Sequence, residues 1–466
     1  MSFIKEYKVA IPKFRITDKV LHPRLGRKGQ HAICYTDEDI ITLAFQAASQ
    51  LNLATRNSEI DAVLFATTSP VFKNRYHASF VADLLGLNQG ILCLDFGTSA
   101  RAGTDALIMA DKLVHSSGFK NVLLIASEVY YPKIGNETRA AFGHAAVAMV
   151  VSNEKGIAEI TNTKSFSSAL AEEFKYKGSS IQYDARFART EGFKNNLGLA
   201  LNESDFRAKE VAHVILHSPY AKLAFGQLIK AGFDLEAQLR KDDVEPSIGN
   251  TGACHALVLM INAIENGKGN VLIFDYLNGT NVISLSTKEK STSNIQHSKS
   301  TIGHPISEIE SYQDYLQLRK QGKFTSKGYT SVEIFSSEMI SEREKNSLVH
   351  LHGYECAKCG TVYFVKAVRC NSCHHEELNQ KQLQKTGVVY SVTSEYYFPN
   401  SFAPTNMVII DLDGGGRMTV QQTDDMFPTE DNTLRIGDKV SLVYRKMMEN
   451  DNKPNYFWKC VKNERR

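Results

Sequence analysis

The 466-residue sequence lacks any continuous apolar run of about 18 residues, the length that a membrane-spanning helix requires. Its N-terminal stretch also lacks the apolar centre and the small-residue cleavage site of a secretory signal, so we expect a cytoplasmic location. An excess of one charge is missing too, because 54 Lys and Arg stand against 51 Asp and Glu. A net charge of +3 argues against a protein built around a nucleic-acid backbone.

The eight cysteines lack the spread of a disulfide framework, because four of them form two C-x-x-C pairs separated by ten residues. The pairs are Cys356 with Cys359 and Cys370 with Cys373. Two such turns facing each other supply the tetrahedral four-thiolate cage that Zn²⁺ accepts, so the spacing predicts a closed, structural zinc site. His374 and His375 follow the last cysteine as alternative ligands, and a disulfide or redox role for the pairs is the competing interpretation.

The length of the chain predicts two to four domains. As far as residue 284, short apolar runs rich in β-branched residues alternate with helical stretches, which is typical of a layered α/β domain whose strands are buried on both faces. Two pairs of runs are alike, since 61–70 is similar to 212–219 and 121–127 to 270–276. This order predicts a duplicated α/β unit over residues 1–284, with halves at about 1–160 and 161–284.

The remaining sequence predicts a linker and a different kind of domain. Residues 285–349 contain a polar Ser/Thr-rich stretch and then helical apolar spacing over 306–324, which predicts a linker followed by packing helices. The cysteine cluster at 350–378 predicts a zinc ribbon. Five short alternating strands separated by Gly-rich turns over 379–466 predict a small closed barrel of the OB type.

Three motifs follow or end predicted strands. One of them opens a helix, and the other two each present a single polar side chain. The segment Leu94–Leu107 ends an apolar run, turns on small residues and opens a helix, whose dipole favours an anion. The motif HSPYAKLA presents His217, and the motif SIGNTGA presents Asn250.

On these motifs, residues 1–284 resemble the thiolase superfamily, and especially its ketoacyl synthase III and hydroxymethylglutaryl-CoA synthase branch. The resemblance implies acyl-CoA chemistry with a Cys, a His and an Asn, of which His217 and Asn250 match the family motifs. Ala100 stands where the family pattern has its nucleophilic cysteine, and Thr68 stands where the synthase branch has a catalytic Glu.

An alanine cannot form an acyl-enzyme. Three nearby residues carry a hydroxyl or thiol group that could replace the missing nucleophile. Ser99, placed before a helix, is interpreted as its N-cap. Cys93 lies within a predicted strand and is interpreted as a buried apolar side chain. Cys254 follows Asn250 by four residues and is either a thiol of the site or a small packed residue.

Residues 306–466 resemble a second family, the rubredoxin-like zinc-ribbon and OB-fold proteins that accompany acyl-CoA enzymes. The cysteine spacing, the strand GVVYSVT and the run PTNMVIIDLDGG carry this resemblance. Together the two resemblances imply an α/β fold with a duplicated thiolase-like layered core, followed by a zinc ribbon and a small OB-type barrel. They also imply assembly with a thiolase-type subunit that has an intact catalytic cysteine.

Three functions follow from these patterns. The favoured hypothesis is a subunit of an acyl-CoA carbon–carbon bond complex, in which a partner thiolase carries the acyl group and the barrel shelters coenzyme A. The second is an independently active, non-covalent acyl-CoA lyase or condensing enzyme that uses His217 and Asn250. The third, ranked last, is a nucleic-acid-binding barrel, because acidic pairs such as Asp424-Asp425 interrupt its basic track.

Overall fold

A computed structural model describes residues 1–26, 28–52, 60–116, 118–137, 142–177, 179–266, 269–287, 306–319, 338–396, 404–427, 429–430, 432–450 and 453–463. Within these ranges, no helix is long and apolar enough to cross a lipid bilayer. The chain forms two compact units. The α/β unit comprises Met1–Cys34, Leu43–Asp83 and Leu87–Tyr312, and the tail unit comprises Tyr35–Thr42, Leu84–Gly86 and Gln313–Arg466.

The strands as far as residue 287 are β1 (Ser2–Ala10), β2 (Phe14–Thr17), β3 (Gln30–Ile33), β4 (Ala62–Ala66), β5 (Leu92–Phe96), β6 (Asn121–Glu128), β7 (Ala145–Ser152), β8 (Ala158–Ser167), β9 (Glu173–Tyr176), β10 (Ser179–Gln182), β11 (Val211–His217), β12 (Gly269–Tyr276) and β13 (Gly279–Thr287). The α-helices of the same stretch are α1 (Asp18–Leu21), α2 (Ile40–Ala48), α3 (His77–Leu84), α4 (Ala102–His115), α5 (Ala185–Phe187), α6 (Asn195–Glu203), α7 (Phe225–Lys230), α8 (Leu235–Gln238), α9 (Glu245–Ile248) and α10 (His255–Asn266). A π-helical segment spans Ala188–Lys194, and 3-10 turns span Ala208–Glu210, Ala221–Ala224 and Gly252–Cys254.

A nine-stranded sheet organises the α/β unit in the order β11-β12-β13-β8-β1-β7-β6-β4-β5. From the centre outward, β1, β7, β6 and β4 are repeated as β8, β13, β12 and β11. In each half the inner neighbours run antiparallel, whereas β6 with β4 and β12 with β11 run parallel. This repeat confirms the duplicated α/β core, and β5 is an additional edge strand of the first half.

Apolar burial explains why these segments fold as layers. β6 and β7 are buried at every position, as expected for strands covered on both faces. Helices α4 and α10, one from each half, contact each other and share one apolar cluster with these strands. Their close approach requires a small residue, because a Cβ on Gly103 would overlap the carbonyl oxygen of Ala253. The first turn of α4 is therefore fixed beside the loop that precedes α10.

The predicted helix over 306–324 is wrong at its start. Residues Ser307–Ile309 form a strand, β14, that pairs in parallel with β2, whose other neighbour is β3. Helix α11 then spans Tyr312–Leu318, and residues 320–324 lie outside the described part of the chain. Ile309 is buried in the strand, so its apolar side chain satisfies a sheet contact rather than a helical stripe. Apolar spacing over a short segment did not distinguish these two outcomes.

The tail unit has the predicted order of a ribbon and a barrel. Its remaining described elements are α12 (Glu338–Arg343), α13 (Lys345–Leu348), β15 (His352–Cys356), β16 (Val362–Tyr363), β17 (Leu378–Gln382), β18 (Thr386–Glu395), β19 (Thr405–Leu412), β20 (Arg417–Gln422), β21 (Lys439–Asn450) and β22 (Lys453–Lys462). β15 lies between β16 and β17 in a small sheet, Cys356 ends β15, and the other three clustered cysteines lie in the segments between these strands. Strands β18 to β22 close into a barrel in the order β18-β19-β20-β22-β21, which confirms the OB-type prediction.

Buried charges are a second feature of the tail unit. Lys459 Nζ lies 2.8 Å from Asp37 Oδ2, and Thr423 donates to the same oxygen at 2.7 Å. Arg445 pairs with Glu38, and its Nη2 lies 3.4 Å from Asp424. These ionic side chains are almost completely buried, apart from Asp424, which is 13% exposed. The segment Tyr35–Thr42 is thus fixed in the tail unit by charge pairs with the barrel strands.

Candidate functional site

The turn between β5 and α4 carries Ala100. The strand ends at Phe96, Thr98 adopts a left-handed conformation with a φ of 69°, and α4 begins at Ala102. Ala100 is half-buried in this turn, directly before the first helical N–H groups. A methyl side chain at this point offers space beside a helix N-terminus but no nucleophile.

Ser99 is occupied by the turn itself. Its hydroxyl donates to the carbonyl oxygen of Leu277 at 3.2 Å and accepts from the N–H of Arg101 at 3.3 Å. The N-cap position belongs to Arg101, whose side chain makes no capping hydrogen bond, so the prediction that Ser99 is the N-cap is wrong in position. The Ser99 hydroxyl instead ties the turn to the segment that follows β12.

His217 ends β11 and is positioned by an acid on the neighbouring strand. β11 and β12 run parallel, and His217 pairs in register with Asp275. The His217 Nδ1 lies 2.8 Å from Asp275 Oδ1, and Thr104 in the first turn of α4 donates to Asp275 Oδ2 at 2.5 Å. Burial lowers the pKa of His217, but the hydrogen bond and charge of Asp275, with the charges of Asp242 and Glu245, raise it overall.

Asn250 lies in the loop between α9 and α10 and faces His217. Its Oδ1 accepts from the N–H of Gly252 at 2.9 Å, so its amide nitrogen points away from that bond. Asn250 Nδ2 then donates to His217 Nε2 at 3.2 Å. Because Nδ1 faces a carboxylate, this geometry fits the neutral imidazole that is protonated on Nδ1. The structure therefore brings together the two residues that the motifs singled out.

A second histidine, missed by the sequence analysis, lies behind the first. The ring of His255 is completely buried, and its centre lies 5.0 Å from that of His217. His255 Nε2 lies 2.7 Å from Asp242 Oδ2, and its Nδ1 accepts from the N–H of Thr251 at 3.1 Å. The position of His255 at the start of α10, five residues after Asn250, was the available signal. This pair fixes the loop that carries Asn250.

Glu128 was also missed, and it contacts Thr68 directly. Thr68 follows β4, and its N–H and hydroxyl both donate to Glu128 Oε2 at 2.9 Å. The N–H of Ala253 approaches the same oxygen at 3.4 Å. Burial raises the pKa of Glu128, and polar contacts from Ser69, Thr68 and Ala253 only partly offset this. An acidic residue at the end of a strand with a continuous apolar centre was the sequence signal.

The two remaining cysteines of interest are poor nucleophiles. Cys93 lies half-buried on β5, where burial and the charge of Asp95 raise the pKa of its thiol. Cys254 is completely buried and donates to the carbonyl oxygen of Ala145 at 3.3 Å. Burial and the charge of Glu128 raise the pKa of Cys254 well above its ordinary value, so little reactive thiolate forms. The structure favours the packed alternative for Cys254.

The four clustered cysteines converge in the ribbon. Their Sγ atoms all lie within 4.8 Å of one another, and two of the separations are 3.5 Å for Cys356–Cys373 and 3.4 Å for Cys359–Cys370. A tetrahedral ion with Zn–S bonds of about 2.3 Å needs sulfur separations of about 3.8 Å, so small shifts would complete a cage. Neither His374 nor His375 belongs to this group of potential ligands.

Residues 380–445 match the family model of the ChsH2 C-terminal OB-fold domain. The hydroxymethylglutaryl-CoA synthase of Caldivirga maquilingensis is 24% identical over 333 residues, which are 66% of this chain and 95% of that protein. The hydroxymethylglutaryl-CoA synthase of Methanosphaera stadtmanae is 25% identical over 347 residues, which are 70% of this chain and 99% of that protein.

Two solved structures of HMG synthases are also similar to this chain in fold. The HMG synthase of the curacin biosynthetic pathway, in complex with a holo donor acyl carrier protein, has a TM-score of 0.58 at 17% identity and covers 68% of this chain and 88% of its own. An HMG-CoA synthase complexed with CoA has a TM-score of 0.55 at 18% identity, with 72% and 95% covered. The chain therefore has a thiolase-like fold, similar in sequence to hydroxymethylglutaryl-CoA synthases, and a C-terminal OB-fold barrel of the ChsH2 kind.

Proposed function

We propose that this chain is a subunit of an acyl-CoA-dependent complex that forms or cleaves carbon–carbon bonds by thiolase-type chemistry. A partner thiolase-type subunit carries the acyl group on its own cysteine, because Ala100 offers no nucleophile at the elbow. The observation that carries the proposal is the hydrogen-bonded set of His217, Asn250 and Asp275, which Thr104 ties to the first turn of the elbow helix.

These residues are suited to polarising a thioester carbonyl. The amide nitrogen of Asn250 and His217 Nε2 lie 3.2 Å apart, so both groups are close enough to contact one thioester oxygen bound beside them. Protonation of His217 would place a second donor there, and the raised pKa of His217 favours that form while Asp275 stabilises the cation. Donors aimed at one oxygen lower the barrier to forming an oxyanion or enolate.

The exposed edge of strand β5 is consistent with the proposal that a partner subunit binds this chain. β5 ends the nine-stranded sheet and pairs with β4 on one side. Leu92 is 37% exposed and Leu94 and Phe96 are half-buried, whereas every residue of β4 is buried. Apolar strand edges of this kind are normally covered. We assign this edge to a cysteine-bearing thiolase-type subunit, since self-pairing would give a dimer without the elbow nucleophile.

We assign structural zinc to the cage of Cys356, Cys359, Cys370 and Cys373, because four thiolates leave no open position for a catalytic water. We further propose that the barrel contributes to acyl-CoA binding. The buried barrel cations Arg445 and Lys459 are paired with acids of the same unit, so they are not available to a nucleic-acid phosphate. This pairing removes two cations from the basic track that a nucleic-acid backbone would need, which argues against the nucleic-acid alternative.

The test compares the purified chain with its mixture with a thiolase-type partner. We expect no acyl adduct on this chain by intact-mass spectrometry after incubation with acetyl-CoA, and turnover only in the mixture. The variant His217→Ala should lower turnover of the mixture by about 100-fold or more, as loss of an oxyanion donor does. Full activity in this variant would reduce the chain to a scaffold.

A second candidate function rests on one further observation, the buried carboxylate of Glu128 beside Thr68. An acyl-CoA lyase or condensing enzyme that moves only protons needs no thiolate, so Ala100 does not exclude it. Turnover by this chain alone at the rate of the mixture would favour this candidate and contradict the partner model.

A further inference from the structure

We propose that Glu128 is the proton acceptor for the α-carbon of an acyl thioester at this site, in place of the carboxyl group that Thr68 lacks. The inference rests on the proposed function only in that an acyl thioester is the substrate. The missing carboxylate is supplied from β6, the strand next to β4, rather than from the end of β4 itself.

The contacts of Glu128 place its carboxylate between Thr68, which follows β4, and the loop that carries Asn250. Oε2 accepts from the N–H and hydroxyl of Thr68 at 2.9 Å and faces the N–H of Ala253 at 3.4 Å. Ala253 lies in the 3-10 turn that follows Asn250, and Asn250 in turn donates to His217. A Cβ on Gly252 would lie 2.8 Å from Glu128 Cγ, so a small residue there makes room for the acid.

The other oxygen of this carboxylate, Oε1, makes no hydrogen bond in the part of the chain that the structure describes. Glu128 is 1% exposed. The same part of the chain places no Lys or Arg within ion-pair distance of it, and the titratable group that faces it is the Cys254 thiol. A buried, unsatisfied carboxylate oxygen costs free energy, which is expected where a group is kept for chemistry.

The environment also suits a base. Burial raises the pKa of Glu128 from the ordinary value of glutamate, which makes its carboxylate a stronger base. In the step itself the C–H bond at the α-carbon breaks and an O–H bond forms on Oε1. The electron pair moves to the thioester oxygen, where N–H donors of Asn250 and protonated His217 stabilise the enolate. Return of the proton reverses the step, so no further reactant is needed.

The experiment measures exchange of the methyl protons of acetyl-CoA with D₂O by NMR, for the full chain alone and with a thiolase-type partner. We expect Glu128→Gln to slow exchange by about 100-fold or more, the usual contribution of a positioned base. Glu128→Asp, which keeps the charge but shortens the side chain, should retain an intermediate rate. The matched control is Glu6→Gln, a buried glutamate that accepts only from Asn52 in the described structure, and its exchange rate should be unchanged.

Two results would overturn the inference. One is an exchange rate in Glu128→Gln equal to that of the wild type, and the other is no exchange by the wild type in either sample. Turnover of the mixture is measured in parallel, so a working mixture with an unchanged Glu128→Gln rate rejects this role and leaves the proposed function standing. If Glu128→Gln fails to fold by circular dichroism, the folded Glu128→Asp variant decides, because an unchanged rate there also rejects the role.

Discussion

The α/β unit and the tail unit are stabilised by different kinds of interaction. In the first, whole strands such as β6 and β7 are buried among apolar side chains from both halves of the sheet. In the second, a cluster of four cysteines and buried charge pairs accompany a small barrel. Apolar burial depends little on metal or pH, whereas thiolate ligation and buried carboxyl groups depend on both. We therefore expect the stability of the tail unit to change with metal and pH, while the stability of the α/β unit changes little.

The single tryptophan of the sequence allows the unfolding of the tail unit to be followed separately from that of the α/β unit. Trp458 is 2% exposed in the barrel, and its indole N–H donates to the carbonyl oxygen of Val349 at 3.1 Å. Its fluorescence reports the tail unit, whereas circular dichroism is dominated by the larger α/β unit.

The largest expected effect is loss of the cage through Cys359→Ser. Structural zinc contributes on the order of 10 kcal/mol to folding, so the tail unit should lose its structure and Trp458 fluorescence should shift to the red. Most of the circular dichroism should remain. Metal analysis should find about one zinc per chain in the wild type and none in the variant. Cys93→Ser, outside the cage, is the control, and a folded, metal-free tail would contradict the prediction.

The next effect is that of Arg445→Met. Loss of this buried cation leaves the Glu38 carboxylate without its cation and leaves Lys459 as the remaining cation beside Asp37, which should cost about 3–5 kcal/mol of the free energy of unfolding. Urea denaturation followed by Trp458 fluorescence measures it. The matched control is Arg417→Met, because Arg417 pairs with Asp411 on the surface and its loss should cost about 1 kcal/mol or less. Equal losses would show that the buried pairs do not stabilise the unit.

A smaller effect follows from pH. Burial, together with the charges of Asp424 and Asp37, raises the pKa of Glu38 to about 7 despite the opposing charge of Arg445. Burial raises the pKa of Asp425 to about 6. Both groups bind protons more tightly when folded, so their contribution is complete below the ordinary carboxyl range and is lost as the pH rises through these values.

The urea midpoint of the Trp458 transition should therefore fall as the pH rises from about 4 to about 7, the interval between the ordinary carboxyl pKa and the raised values. Glu38→Gln removes one of the two titrating groups and should flatten this decline. A midpoint that rises with pH would contradict the assigned direction.

The smallest effect concerns the α/β unit. Thr104→Val removes the hydroxyl that donates to Asp275 and accepts from Asn281 Nδ2 at 2.9 Å. The expected cost is about 1–3 kcal/mol, measured by circular dichroism during urea denaturation. Trp458 fluorescence should follow its wild-type transition, since the change lies in the other unit. A shift of both signals together would show that the two units unfold as one.

Much of the fold was predictable because it depends on local pattern. Continuous apolar runs indicated β4, β6, β11 and β12, and period-two alternation with Gly-rich turns indicated the barrel. The spacing of Cys356, Cys359, Cys370 and Cys373 predicted their convergence. His217 and Asn250 were found through their motifs.

The rest depends on contacts between distant residues. Asp275 acts on His217 only because β11 and β12 pair in a particular register. Glu128 reaches Thr68 only because β6 lies next to β4. The strand at 307–309 forms only because β2 offers it a free edge. No pattern within one segment carries such information.

The charge pairs of segment Tyr35–Thr42 have a consequence for the order of events during synthesis. Asp37 and Lys459 are separated by 422 positions, so the ribosome makes one partner early and the other almost last. Closing so long a loop is slow, and the segment must wait with its acids in water until the barrel strands emerge. A fragment that began at Gln313 would lack these acids, and Arg445 and Lys459 would then have to be buried without Glu38 and Asp37. The tail unit is therefore completed by residues from both ends of the chain, so its gene cannot be cut at the apparent boundary without cost.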